Sequence, residues 1–289
     1  MTPRKMSPKQ PAPAAVNPAR PLLALLTDFG TDGWYVGVMK GVIKGICPGA
    51  DIVDISHGVA PHSVIEGAMM LWASYRNFPE GTVFVAVVDP GVGTRREPIV
   101  LRAAGRWFVA PNNGILGYVT QNEKVSDCRH LCNPRYFLPE AGSTFDGRDI
   151  FAPAAAHLAA GVPVADLAPE RTRCFSLAST EAAYDHGVIV GNAVYFDHFG
   201  NAITNIPRTL FEPHFGGARR KTPVEVVVGR WAVPGIAGTY ADVRPGEVLA
   251  YWGSLGMLEI GVNHGSARDA LGIRLLDKVT VRRTGPRGE

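Results

Sequence analysis

The chain predicts an α/β domain built on a parallel sheet, followed by a small β-barrel domain. Three observations carry this. Short apolar runs alternate with helical patterns through the first half. The runs L-L-A-L-L and V-F-V-A-V-V are apolar on both faces, and from Gly187 onward the texture changes to short β-rich runs separated by turn residues. Alternating strand and helix patterns argue βαβ units, and strands apolar on both faces suit a sheet covered by helices on each side.

In order, the first half offers a strand at Leu22 to Leu26, a helix at Tyr35 to Ile46, a strand at Ile52 to Ile55, a helix at Ser63 to Phe78 and a strand at Val83 to Val88. A hairpin, I-V-L-R-A-A-G-R-W-F-V, follows with its turn near Gly105, and a helix from about Gly147 to Ala160 closes the domain. The second half contributes V-I-V-G-N-A-V-Y-F, P-V-E-V-V-V-G, V-L-A-Y-W, M-L-E-I-G-V and K-V-T-V-R, the spacing of a small barrel or sandwich. The boundary falls in the polar stretch Thr180 to His186, which gives domains at 21–182 and 187–284. Residues 1–20, basic and rich in Pro and Ala with no apolar core of a secretory signal, are expected to be a disordered tail. Val233 to Val243 reads as a long loop, functional or simply irregular.

At 289 residues and 46% hydrophobic content the chain can bury a core in each unit. No apolar run approaches the roughly 20 residues that span a bilayer. Net charge is +3, with much of the excess near the ends, so no nucleic-acid stripe stands out, and Arg219-Arg220-Lys221 reads as a solvated loop. Four cysteines in this length make no disulfide framework, and a reducing cytoplasm is expected.

Ligands of parallel α/β sheets gather beyond the carboxyl ends of the strands. Three segments qualify: L-L-T-D-F-G-T-D-G with Asp28 and Asp32, D-I-S-H-G with Asp54 and His57, and V-V-D-P-G-V-G-T-R-R with Asp89 and Arg96. Asp28 at a strand end can accept two ribose hydroxyl protons or cap its own turn. Gly91 and Gly93 let backbone approach a ligand, while Asp89 and Arg96 also fit a surface ion pair. G-V-G-T-R-R lacks the third glycine of a dinucleotide fingerprint, and no P-loop, nucleophile elbow or H-E-x-x-H occurs. Strand alternation places Cys128, His130 and Cys132 of C-R-H-L-C on one face, but a fourth zinc ligand is missing, so a strand without metal is the expectation.

Together L-T-D-F-G-T-D, D-I-S-H-G-V-A-P-H, V-V-D-P-G-V-G-T-R-R, P-N-N-G, T-F-D-G-R-D-I-F-A-P, D-H-F-G-N-A-I-T-N-I and S-L-G-M-L-E-I-G-V-N resemble one family, in order, from about Leu22 to Arg282. It is the S-adenosyl-L-methionine (SAM) hydroxide adenosyltransferases, adenosine-forming SAM hydrolases related to the bacterial fluorinase and chlorinase. The resemblance implies an α/β domain plus a β-barrel domain, a homotrimer, and SAM held between the first domain of one subunit and the second domain of its neighbour. It places Asp28 on the ribose diol, Asp197 and Ser254 on the amino acid end of methionine, and Asn201 on adenine, with Phe199 and Tyr240 as apolar walls. Tyr35, His62, Phe145, Glu259 and Val262 fall in the same implied substrate pocket.

Asp89 and Arg96 match two members of the water-activating Asp-Arg-His set of the family. Where such hydrolases show T-F-H-G-R-D, this chain reads Thr144-Phe145-Asp146-Gly147-Arg148-Asp149, so Asp146 is the expected third catalytic residue with a carboxylate in place of the imidazole. The implied reaction attacks C5′ of SAM with water and needs neither cofactor nor metal. Two rival readings follow from the same residues: a SAM or adenosine sensor that has lost chemistry with the histidine, and a halide-using synthase. The second is disfavoured because Asp89 and Asp146 put negative charge where a desolvated halide would sit.

Overall fold

The computed structural model describes residues 20–139, 144–177, 181–216 and 223–284. The expected tail, apart from Arg20, the basic cluster at 219–221 and Thr180 of the expected boundary lie outside the described residues.

The N-terminal sheet contains β1 (Leu22–Thr27), β2 (Asp51–Ser56), β3 (Val83–Val87), β4 (Pro98–Ala103), β5 (Arg106–Pro111), β6 (Val125–His130) and β7 (Glu170–Arg171). Its spatial order is β2-β1-β3-β5-β4-β6-β7. Alternation along the strands divides the core in two. Leu23 and Leu25 of β1, with Val83 and Val85 of β3, face α1 (Tyr35–Ile46) and, later in the chain, Ala152 and Ala155. Ala24, Leu26, Phe84 and Ala86 point the other way, against α2 (Val64–Tyr75) and α3 (Gly117–Asn122). Every residue of β3 is buried, and burying a Val or Phe side chain stabilises the fold by roughly 1.5–3 kcal/mol.

The expectation of a parallel sheet holds for one half only and is corrected to a mixed sheet. β1 pairs in parallel with β2 and β3, and β3 with β5, but β4 runs antiparallel to β5 and β6, and β6 to β7. The reason is the hairpin. Only Ala104 and Gly105 separate β4 from β5, both with positive φ (47° and 71°), and a two-residue primed turn joins only antiparallel neighbours. The helix expected from Gly147 to Ala160 is present, but its first turn, Gly147–Phe151, is a wide π turn that runs into α4 (Ala152–Ala159). A short helix, α5 (Val164–Leu167), leads to β7.

The C-terminal sheet is antiparallel and contains β8 (Ala183–Asp185), β9 (Val188–Phe196), β10 (Ala202–Pro207), β11 (Val224–Val228), β12 (Trp231–Pro234), β13 (Val248–Trp252), β14 (Met257–Val262) and β15 (Lys278–Arg283). Its order is β12-β11-β15-β9-β10-β14-β13, with β8 beside β9. A bridge from Ala237 to Tyr251 brings the chain beyond β12 to β13, so the sheet nearly closes into a barrel. Val226, Ile260, Val279 and Val281 fill it, and α6 (Arg208–Phe215) adds Phe211 and Phe215. A last short helix, α7 (Ala267–Leu271), precedes β15. Val194, Ile203 and Met257 join the core cluster on the α2 side of the first sheet, which fixes the two units against each other. Among the described residues no helix is long and apolar enough to cross a membrane.

Candidate active site

The loops that follow β1, β2 and β3 meet at one sheet edge. Asp28 leaves β1 and its Oδ2 accepts the His62 backbone N–H at 2.9 Å, a contact made possible by the left-handed turn at His62 (φ 66°). Behind it, Thr27 Oγ1 and buried His57 Nδ1 are 2.9 Å apart, and Lys40 Nζ donates to Asp54 Oδ2 at 2.6 Å. His57 Nε2 stands 3.0 Å from Asp54 Oδ1 without hydrogen-bond alignment. Burial works to raise the Asp54 pKa, but Lys40 and His57 outweigh it and hold the carboxyl below its ordinary value. The second strand-end loop thus supports the Asp28 loop from behind.

The third loop is built to present Asp89 and Arg96 together. After β3 the chain turns tightly: Val92 N–H donates to Asp89 O at 3.2 Å, Thr94 Oγ1 to Gly91 O at 2.6 Å, and Arg96 N–H to Thr94 Oγ1 at 3.3 Å. Gly93 sits at φ 76°, a conformation that glycine adopts without strain. The P-N-N-G segment holds this loop in place. Asn113 Nδ2 donates to Val88 O at 2.8 Å, while Asn112 Nδ2 donates to Arg173 O at 2.9 Å and its Oδ1 accepts the Phe175 N–H at 2.7 Å.

Arg96 lies between two carboxylates. Its Nε donates to Asp89 Oδ2 at 2.8 Å, its Nη2 stands 2.5 Å from the same oxygen, and Nη2 also donates to Asp146 Oδ2. All three side chains are buried, exposed by only 10%, 6% and 5% for Arg96, Asp89 and Asp146. The guanidinium also lies 5.2 Å from the Phe151 ring centroid. Burial opposes the charge on Arg96, but its bonds to Asp89 and then Asp146 prevail and hold its pKa above the ordinary value. Asp89 Oδ1 and Asp146 Oδ1 are buried without a hydrogen-bond partner among the described residues. Two buried carboxylate oxygens without a partner are acceptors for a polar guest such as water.

Asp89 and Asp146 belong to the wall of a cleft of about 230 Å³ whose lining also includes Asp28, Phe29, His62 and Phe145. An aromatic rim flanks it. The Phe145 ring meets Phe29 edge-on at 5.6 Å and Tyr35 at 5.0 Å, and Trp34 stacks on Tyr35 at 4.3 Å, with Trp34 59% exposed.

A second cleft, of about 650 Å³, opens on the barrel and includes Asp197, Phe199, Asn201, Tyr240, Tyr251, Val262 and His264 in its lining. Asp197 organises its own loop, accepting from Phe199 N–H (3.0 Å), Asn201 N–H (2.8 Å) and Asn201 Nδ2 (2.7 Å). A chain continues from Tyr240 Oη, which donates to Asn201 Oδ1 at 2.9 Å and pairs with Tyr251 Oη at 2.7 Å; Tyr251 Oη donates to Glu259 Oε2 at 2.6 Å. Burial raises the Glu259 pKa, Asp197 adds to the rise, and Tyr251 opposes it. Burial and the neighbouring Glu259 carboxylate likewise push the Tyr251 hydroxyl upward.

The family model described as "SAM hydroxide adenosyltransferase N-terminal domain" matches residues 23–168, and its C-terminal counterpart matches residues 191–280. The chain belongs to the SAM hydroxide adenosyltransferase family. It is 40% identical to a protein of Thermus thermophilus named (R)-S-adenosyl-L-methionine hydrolase, over 86% of this chain and 94% of the relative. It is 32% identical to a protein of Nocardia brasiliensis named fluorinase, over 86% of this chain and 93% of that one. A crystal structure of an uncharacterized conserved protein from Thermotoga maritima superposes with a TM-score of 0.82 at 38% identity, covering 90% of this chain and 100% of that one.

Within this family frame, the residues singled out from sequence fall into two groups. Asp28, His62, Asp89, Phe145 and Asp146 line the first cleft, with Arg96 behind the two carboxylates and Tyr35 on the rim. Asp197, Phe199, Asn201, Tyr240 and Val262 line the second, and Glu259 stands behind Tyr251. Ser254 sits on the exposed β13–β14 turn and lines neither. The two clefts share no lining residue. Sequence reading missed Phe29, Tyr251 and His264 as lining residues. Tyr251 of β13 lies directly opposite Glu259 of β14, a pairing visible only once the register of V-L-A-Y-W against M-L-E-I-G-V is known.

Proposed function

We propose that this protein hydrolyses SAM at C5′ to adenosine and L-methionine. The observation that carries it is the buried Asp89–Arg96–Asp146 cluster in the wall of the cleft, with one carboxylate oxygen of each aspartate left without a partner among the described residues. Relatives named SAM hydrolase at 33–40% identity support the same substrate. The sulfonium already makes methionine a good leaving group, so the protein's task is to place water in line behind C5′ and exclude bulk solvent. Asp89 and Asp146 accept from that water, and Arg96 fixes their geometry. The water oxygen bonds to C5′, the C5′–S electron pair returns to sulfur as methionine leaves, and one water proton is lost to solvent. With its Oδ2 already taken by Arg96, Asp89 serves to hold and orient the water.

Asp28 suits the ribose diol; Asp197, Ser254 and Asn201 serve the methionine and adenine ends, and Phe199 and Tyr240 supply the walls. Because the clefts are separate, we assign a homotrimer in which one subunit's first domain and its neighbour's barrel enclose SAM. Four free cysteines fit a cytoplasmic setting. No cofactor enters the scheme.

Incubation with SAM in 18O-labelled water is expected to yield labelled adenosine and methionine, faster for the R than the S sulfonium epimer. Intact bound SAM without product would instead establish the sensor reading, which Asp146 in place of histidine favours. 5′-Halo-5′-deoxyadenosine in halide buffer would establish the synthase. Mixing impaired Asp89→Asn chains with impaired Asn201→Ala chains should raise activity above that of either alone if sites are shared between subunits.

A further inference from the structure

We propose that His130, Cys132 and Glu170 form a binding site for a zinc-like divalent cation at the far edge of the N-terminal sheet. One ligand atom from each, an imidazole nitrogen, the Cys132 Sγ and a carboxylate oxygen, lie within 4.8 Å of one another. The backbone explains why. His130 ends β6, Leu131 turns inward and is 2% exposed, and alternation returns Cys132 to the face that His130 occupies. Glu170 begins β7 directly opposite His130 in the antiparallel register, with His130 Nδ1 3.8 Å from Glu170 Oε2.

The strand ends that carry these residues are fastened independently of the three side chains. Leu131 N–H donates to Pro98 O at 2.9 Å, Asn133 Nδ2 to Asp166 O at 2.6 Å, and Arg129 Nη1 to Ala168 O at 3.2 Å. The backbone positions of the three residues are therefore set before a cation arrives. Ligand atoms at about 2.0–2.3 Å from a tetrahedral zinc stand roughly 3.3–3.8 Å apart, so side-chain rotation of about an ångström completes the site. Nitrogen, sulfur and oxygen together select a borderline-soft ion and disfavour Mg²⁺ or Ca²⁺, and three protein ligands leave the fourth position to water. Cys128, the thiol that the C-R-H-L-C pattern offers, is not among the three and packs against the core on the α2 side.

Such an ion would clamp the two-residue strand β7 and the strap that follows it. That strap supports the active-site loop from behind, through Thr172 Oγ1 to Glu97 Oε2 (2.8 Å) and the two Asn112 bonds to Arg173 and Phe175. Titration of tag-free protein with Co²⁺ alone should show one equivalent bound with a thiolate-to-cobalt charge-transfer band, and Zn²⁺ should displace it and raise Tm. Cys132→Ser should abolish the band, and His130→Ala or Glu170→Gln should weaken binding by at least ~10-fold, the low end of what even outer-sphere changes cost a metal site. A variant with Cys47, Cys128 and Cys174 all changed to Ser should keep both band and stoichiometry. Absence of the band in wild type, or its survival in Cys132→Ser, would overturn the site. None of these readouts depends on SAM turnover.

Discussion

The two clefts are made of opposite materials. At the sheet edge, three formal charges are packed out of water, Asp89 and Asp146 on either side of Arg96, with two carboxylate oxygens left over. On the barrel, Asn201, Tyr240, Tyr251 and Glu259 form a hydrogen-bonded chain in which phenols separate the buried acid from the amide. A buried ion cluster is costly to break and concentrates field on a small guest; a chain of hydrogen bonds reads shape and donor pattern. On the proposed reading, the first cleft carries the chemistry and the second the recognition.

The sharpest way to break that division is Arg96→Ala, which leaves two buried carboxylates without their counter-ion. Turnover should fall about 100-fold or more, roughly 2.7 kcal/mol in barrier, and stability by about 3 kcal/mol. Single-turnover kinetics and thermal melts check both; near-wild-type turnover would end the assignment of chemistry to this cleft. Asp89→Asn keeps the shape and should cost at least about tenfold in kcat, about 1.4 kcal/mol, with a smaller change in KM. A pure KM effect would move Asp89 into recognition.

Asp146→His tests the departure from the family pattern. Asp89 keeps both the Nε and the Nη2 contact of Arg96, so this variant should change kcat by less than Asp89→Asn does. A loss larger than that of Asp89→Asn would make Asp146 the dominant carboxylate. On the barrel, Tyr251→Phe removes the hydroxyl that bonds both Tyr240 and Glu259 and should raise KM roughly fivefold, about 1 kcal/mol, while sparing kcat.

The smallest effect is on pH dependence. The Glu259 pKa is raised in the folded state, so its protonated form is favoured there, and the stability it lends below the unfolded pKa is lost as pH rises through the folded value. Stability of Glu259→Gln relative to wild type should therefore improve across the pH window above the ordinary carboxylate value of 4.5. Parallel melting curves across that window would show instead that Glu259 is not perturbed by its surroundings.

Much of the fold was legible because it is periodic. The doubly apolar runs of β1 and β3 announced buried strands, and A-A-G between two β runs announced the hairpin. What the hairpin did to the sheet was not legible. Its two-residue turn reverses the direction of β4 and converts a parallel sheet into a mixed one, a consequence of chain direction that no side-chain pattern records. The strand-end rule likewise pointed to Asp28, Asp54 and Asp89 but treated them alike. The structure commits Asp54 to Lys40 and sets Asp89 in the wall of the cleft with one oxygen unpartnered among the described residues.

By itself, then, the sequence determined the two architectures, the order of the motifs and the residue types at each strand end, because periods of two and 3.6 residues and local turn chemistry are written in neighbouring positions. Only tertiary structure decided which of those residues meet. Arg96 reaches Asp146 fifty positions away, Tyr251 falls opposite Glu259, and His130 and Cys132 acquire Glu170 as a third ligand candidate in place of Cys128. Such pairings depend on register and crossover, which are set by the burial of whole elements rather than by the residues that come to touch.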